Sequence, residues 1–305
     1  MREPAAGGGE ARGLAISYVD VAGRKTWHEV SGEGDPVVLL HGGFVGASSW
    51  AGQAPALAGA GYRVHMPERR GHGHTPDVAG PLSYSAMADD TVAYLDQVVG
   101  RPAPLIGWSD GAVIALLVAQ RRPDLAAGLV LIGQYLNSAG RAAGGLLDEI
   151  LGSDPEVVSF LREEHDQLSP DGPAHFPVFY EKMISMYRAE PELELAGLAA
   201  VDVPALVLQG DRDEVTVAHS AAVAAVLPQG RLAVLPGSHL LPIESPGLVN
   251  DAARVPAGRL SRLAGRAIPR PGSSGSRGAR RPAPSPRPRC RSAWRPSGRP
   301  CRPRP

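Results

Sequence analysis

Residues 103–122 read Ala-Pro-Leu-Ile-Gly-Trp-Ser-Asp-Gly-Ala-Val-Ile-Ala-Leu-Leu-Val-Ala-Gln-Arg-Arg. The first five residues form a short apolar run that predicts a strand. Residues 111–122 form a longer apolar run that predicts a helix. Between them, Gly107-Trp108-Ser109-Asp110-Gly111 has the G-x-S-x-G pattern in the strand-to-helix setting it requires. The physical demand is steric. A serine on so sharp a turn has a strained backbone, and a side chain at either glycine would crowd it. The turn also sets the Ser109 hydroxyl at a helix N-terminus, where free N–H groups and the dipole favour developing negative charge.

Strands and helices alternate outward from this point. Residues 15–21 and 26–30 predict an N-terminal hairpin turning at Gly23. Residues 36–40 (PVVLL) predict a strand buried on both faces. Further strands are predicted at 62–66, 128–132, 205–209 and 231–235, and helices at 48–60, 83–99 and 219–226. Such alternation predicts an α/β fold, a mostly parallel sheet with helices on both faces. In such sheets functional residues gather at the carboxyl ends of the strands. From about 136 to 197 the alternation stops. Helical segments at 146–151, 156–167 and 179–188, punctuated by prolines, predict a helical cap inserted over that edge. The expected organisation is a core of 14–135 and 198–253, a cap of 136–197 and a tail of 254–305.

The 305-residue chain has zero net charge, but unevenly. Residues 1–250 hold 16 Lys and Arg against 30 Asp and Glu, a balance of −14. Residues 251–305 hold 15 Arg and one acid, a balance of +14. Arg, Pro, Gly and Ser leave the tail too little apolar surface to offset ordering, so it is expected to be disordered. An Arg-rich tail can bind nucleic acid. With Trp294 alone for stacking, a passive extension is the simpler expectation, and no nucleic-acid partner is expected for the folded body. The abrupt change in composition also fits a shifted reading frame in a GC-rich gene, which comparison of the alternative frames tests. Both cysteines, Cys290 and Cys301, lie in this tail, so the body has no disulfide, no Cys nucleophile and no Cys-based zinc site. With neither a signal peptide at 1–13 nor an apolar run near the ~20 residues that span a bilayer, a cytoplasmic protein without membrane partner is expected.

A serine hydroxyl needs a general base. His239, in Gly237-Ser238-His239-Leu240, follows the strand at 231–235 and is the candidate. The base in turn needs an acid to fix its tautomer. Asp211 and Asp213, in the loop after the strand at 205–209, both qualify. Asp213 is the choice because it lies further into the loop, leaving Asp211 to bond within the turn. An oxyanion needs backbone N–H donors. Asp110, after the nucleophile, supplies one, and Gly43 in His41-Gly42-Gly43-Phe44 the other, with Phe44 as the near alternative. His41 is expected to hold its loop rather than transfer protons. Phe44, Trp108 and Asp110 are candidates to line a substrate site. No metal or organic cofactor is implied.

HGGF at 41–44, ERRGHG at 68–73, GWSDG at 107–111, GDRDEV at 210–215 and GSHLLPIESP at 237–246 together resemble the α/β-hydrolase superfamily over about 16–249, including the order Ser, Asp, His. The resemblance implies the α/β-hydrolase fold and a serine hydrolase cleaving a small-molecule ester through an acyl-enzyme. Dehalogenases and epoxide hydrolases of this fold carry Asp at the elbow. Lactonases, C–C bond hydrolases and cofactor-free perhydrolases keep Ser and are alternatives, as is an inactive binding protein on the same fold. GWSDG looks most like the biphenyl-hydrolase-like, valacyclovir-hydrolase type of esterase. That likeness implies that Asp110 binds a substrate ammonium. The simpler reading of Asp110 is an acid favoured in a first helical turn by about 0.3–1 kcal/mol. Phe176, Phe179, Met183 and Met186 would give either an apolar pocket or the core of the cap.

Overall fold

The computed structural model describes residues 14–260. β1 (Ala15–Val21) and β2 (Arg24–Ser31) form the expected hairpin, with Val21 opposite Arg24. Its two turn residues, Ala22 and Gly23, both have positive φ, the backbone that matches the twist of a two-residue hairpin. β3 (Asp35–Leu40), β4 (Tyr62–Pro67), β5 (Ala103–Trp108), β6 (Ala126–Ile132), β7 (Ala205–Gly210) and β8 (Gly230–Leu235) complete one sheet. The order is β1-β2-β4-β3-β5-β6-β7-β8. β2 runs antiparallel to β1 and β4, and all other neighbours are parallel.

The helices are α1 (Ala54–Gly59), α2 (Tyr84–Tyr94), α3 (Asp110–Arg121), α4 (Leu146–Leu151), α5 (Pro155–Leu168), α6 (Phe176–Ala189), α7 (Val217–Val226), α8 (Leu241–Glu244) and α9 (Pro246–Leu260). Alternate residues of the central strands feed two cores. Val38, Leu40, Leu105, Leu129, Leu131 and Val207 pack with α2, α3 and α7. Val37, Leu39, Ile106, Val130, Ile132 and Leu208 pack with Leu57 of α1 and Val249 of α9. The uninterrupted apolar strands thus follow from helices on both faces. α3 is buried from Asp110 to Ala119, which explains a helix apolar all round.

One expected element differs. The helix predicted over 48–60 is two pieces, a 3-10 turn Ala47–Trp50 and then α1. Pro55 lies in the first turn of α1, where its missing N–H costs nothing. Just before it, Gly52 lies so close to Pro246 that a Cβ would come within 2.6 Å of that ring. The stretch 83–99 is helical as predicted: Ser83 caps α2 by accepting the Ala86 N–H, and a π-helical turn, Leu95–Val99, ends at Gly100 with φ 70°. Of the expected tail, 254–260 belong to α9 instead, and the rest, from 261 onward, lies outside the described residues. Among the described residues no helix is long and apolar enough to cross a membrane.

Between β6 and β7, α4, α5 and α6 fall close to the predicted positions. Glu164 of α5 accepts the Gly46 N–H at 3.0 Å, and Lys182 of α6 donates to Asp77 at 2.6 Å. Gly46 and Asp77 lie in the loops that follow β3 and β4. These helices are therefore fastened over the carboxyl ends of the strands.

Candidate active site

Ser109 links β5 to α3 with φ 53° and ψ −119°. A non-glycine backbone there costs about 1–3 kcal/mol and persists only where its surroundings enforce it. The surroundings are the flanking glycines. A Cβ at Gly107 would stand 2.2 Å from the Gly111 carbonyl oxygen, and one at Gly111 would stand 1.9 Å from that of Leu40. The chain packs backbone on backbone here, and the serine hydroxyl is the group left protruding.

His239 comes from the loop after β8. Its Nε2 lies 3.0 Å from Ser109 Oγ, and its Nδ1 lies 2.9 Å from Asp213 Oδ1. The loop is braced from both sides. Trp108 Nε1 donates to the His239 carbonyl at 2.9 Å, and Glu244 accepts from the Ser238 N–H and hydroxyl. Asp213 Oδ1 also accepts the Val215 N–H, and its side chain is 1% exposed. Asp211 is 55% exposed and accepts the Gly237 N–H at 2.9 Å. Of the two acids, Asp213 meets the imidazole and Asp211 ties the loop. Burial opposes the His239 imidazolium. The hydrogen bond and charge of Asp213, with the charges of Glu214 and Asp110, outweigh it and lift the histidine above its ordinary value. Asp213→Asn is expected to lower kcat/KM for an ester about 10^4-fold, by holding the wrong tautomer. Asp211→Asn is expected to stay within about threefold, because the amide oxygen still accepts the Gly237 N–H. Steady-state kinetics of the pair checks this.

Gly43 and Phe44 follow β3. Among the described residues, the N–H groups of Gly43, Phe44 and Asp110 donate to no protein acceptor, which leaves all three free for an anion. Phe44 has φ 62°, and its ring sits among Phe179, Tyr180 and Tyr187. The His41 ring is fully occupied: Nδ1 lies 2.8 Å from the Gly42 carbonyl, and Nε2 accepts the Arg69 N–H. Burial and the neighbouring Arg69 push its pKa well down, so it stays neutral and holds the loop. The Arg69 guanidinium donates to the carbonyls of His41 and Gly42. Its place in the ERRGHG motif was the only sequence signal for that clamp.

Asp110 is 4% exposed. Tyr84 donates to its Oδ1 at 2.8 Å and Tyr187 of α6 to its Oδ2 at 2.9 Å. Burial pushes the carboxyl upward, against the charge of Arg69 and the two hydroxyls. Nothing in the sequence pointed to either tyrosine as a partner.

These groups surround a cavity of about 80 Å³, lined by Phe44, Trp108, Ser109, Asp110 and His239 at the base. Its other walls include Leu146, Leu147, Ile150, Leu161 and Tyr187, with Tyr135 and Glu214 at the side. Phe176, Phe179, Met183 and Met186 are buried and absent from this lining. They belong to the large buried cluster, with Phe179 against Phe44 and His72, and Met183 beside Gly43. A larger depression, about 630 Å³ and lined by Trp50, Ala54 and Met66, has no nucleophile beside a base.

The family described as "Alpha/beta hydrolase family" matches residues 37–252. The chain is 39% identical over 116 residues to epoxide hydrolase B of Mycobacterium tuberculosis, which covers 37% of this chain and 32% of that one. It is 38% identical over 104 residues to a pimeloyl-[acyl-carrier protein] methyl ester esterase of Methylococcus capsulatus, covering 34% and 39%. The chain thus matches only about a third of the length of these two relatives. Among solved structures, the enol-lactonase of Burkholderia xenovorans superposes with a TM-score of 0.65 at 20% identity, covering 79% of this chain and 99% of that one.

Proposed function

This chain belongs to the alpha/beta hydrolase family, and from that premise we propose that it is a serine hydrolase that cleaves a small carboxylic ester through an acyl-enzyme on Ser109. The observation that carries this reading is the continuous relay from Ser109 Oγ to His239 at 3.0 Å and from His239 to Asp213 at 2.9 Å. Ser109 Oγ attacks the ester carbonyl carbon while His239 Nε2 takes the hydroxyl proton. The oxyanion is held by the N–H groups of Gly43 and Asp110. As the tetrahedral species collapses, His239 returns the proton to the departing alcohol. A water deprotonated by the same nitrogen then releases the acid and frees Ser109.

The nucleophile itself favours ester over epoxide cleavage. Serine attack on an epoxide leaves an alkyl ether, which an activated water does not cleave. Serine attack on an ester leaves another ester, which it does. The cavity, about 80 Å³, falls below the roughly 300 Å³ at which ligand pockets usually begin. Short acyl groups fit this reading, and longer ones require α4, α5 and α6 to move as a cap.

The test is ester turnover followed across pH. The base must be neutral to accept a proton, so kcat/KM falls as His239 becomes protonated. With the histidine lifted above its ordinary 6.5, kcat/KM for p-nitrophenyl butyrate is expected to rise through a midpoint above 6.5 to an alkaline plateau. No ester turnover, or a midpoint below 6, would contradict the proposal.

A further inference from the structure

Two carboxylates line the cavity, Asp110 and Glu214, and no Lys or Arg side chain lines it. The resemblance noted above would give Asp110 the task of reading substrate charge. Its geometry argues otherwise. Each of its oxygens already accepts a tyrosine hydroxyl, at 2.8 and 2.9 Å, and it is 4% exposed. Burial holds both tyrosines well above their ordinary pKa, so they remain donors. The positive charge of Arg69 acts on the Asp110 carboxylate. A substrate ammonium would meet there a nearly enclosed carboxylate whose two oxygens are each already engaged by a neutral donor.

Glu214 is differently placed. It is half-buried, one residue beyond Asp213. Its Oε2 accepts the Leu147 N–H of α4 at 3.0 Å, which fixes the carboxylate at the cavity wall. A Cβ on Gly145 would stand 2.2 Å from the same oxygen, so the turn before α4 is built around it. Its Oε1 has no hydrogen bond from the described residues. No cation pairs with Glu214 among the described residues, and its charge acts on His239 more strongly than that of Asp110.

We propose that Glu214, and not Asp110, sets the charge preference of the cavity, admitting acyl and alcohol groups that are neutral or cationic and turning away those that carry a carboxylate. The inference rests on the serine-esterase reading and narrows it to a substrate class. A fixed, uncompensated carboxylate in a partly dry cavity repels a second one, and the repulsion is screened far less than at the surface.

The experiment uses two isosteric pairs of esters, so that charge changes and shape does not. The first pair is monomethyl succinate and methyl 4-oxopentanoate. The second is butyrylcholine and 3,3-dimethylbutyl butyrate. The wild type is expected to favour the neutral member of the first pair and the cationic member of the second, each by about tenfold or more in kcat/KM. Glu214→Gln keeps an acceptor for the Leu147 N–H and is expected to bring both ratios to within about twofold of one. Asp110→Asn is expected to slow all four esters together and leave the ratios standing. Ratios unchanged in Glu214→Gln, or lost in Asp110→Asn, would overturn the proposal. Should Glu214→Gln lose turnover of the neutral esters, the wild type still decides: choline is expected to inhibit more tightly than 3,3-dimethylbutanol, and equal inhibition would overturn the proposal. If the wild type cleaves none of the four, the esterase reading itself has failed.

Discussion

Gly111→Ala is expected to destabilise the protein by about 3 kcal/mol or more, at the upper end of what overpacking costs. The added methyl would sit 1.9 Å from the Leu40 carbonyl oxygen, 2.5 Å from its carbon and 2.6 Å from the His41 carbonyl oxygen. All three are backbone atoms at the end of a central strand, so no rotamer change relieves the clash. Either α3 lifts from the sheet or β3 shifts, and both movements displace Ser109. For a fold of this size the loss corresponds to roughly 6–12 °C in Tm, with ester turnover falling even where the protein stays folded. Gly59→Ala is the matched control. It lies at the end of α1 with nothing within 4 Å of its Cβ position, so alanine is expected to be neutral or stabilising by up to about 1 kcal/mol. Thermal melts of the two variants beside the wild type check the pair. Equal Tm values would show that the elbow is not packed as described.

The contrast between those glycines explains why the elbow was legible in the sequence. Its requirements are local: a strand end, two residues without side chains and an apolar helix, all within 20 residues. His239 and Asp213 were legible for a related reason. Each follows a strand whose carboxyl end must lie on the same edge as Ser109, so topology alone brings them near. What separates Asp213 from Asp211 is finer, since one meets the imidazole and the other accepts the Gly237 N–H. That difference is in loop geometry, which carries no periodic signal.

What holds these groups in place was illegible because those contacts are long-range and chemically unmarked. Tyr84, Asp110 and Tyr187 belong to α2, α3 and α6, and an isolated tyrosine in a helix looks like packing. Arg69 stood in a quoted motif, yet its task of gripping the His41 and Gly42 carbonyls depends on β3 and β4 being neighbours. Glu214 stood in the quoted GDRDEV stretch, yet its place on the cavity wall depends on α4 meeting that loop. The break in the helix predicted at 48–60 has the same origin. The apolar period continues through Gly52, but the close approach of Pro246 there is visible only in three dimensions.

Everything proposed depends on Ser109 being the nucleophile. Ser109→Ala removes the only atom that can form the acyl-enzyme while leaving the elbow glycines, His239 and both oxyanion donors in place. The methyl is smaller than the side chain it replaces, so the variant is expected to fold and to melt near the wild-type temperature. Its kcat/KM for p-nitrophenyl butyrate is expected to fall about 10^4-fold or more, since triad members act as a unit. The most direct measurement is intact-mass analysis after exposure to a fluorophosphonate, followed by peptide mapping. The wild type is expected to gain one phosphonyl adduct, on Ser109, with loss of ester turnover in proportion, and Ser109→Ala to gain none. An adduct on another residue, or equal labelling and equal turnover in the two proteins, would contradict the account.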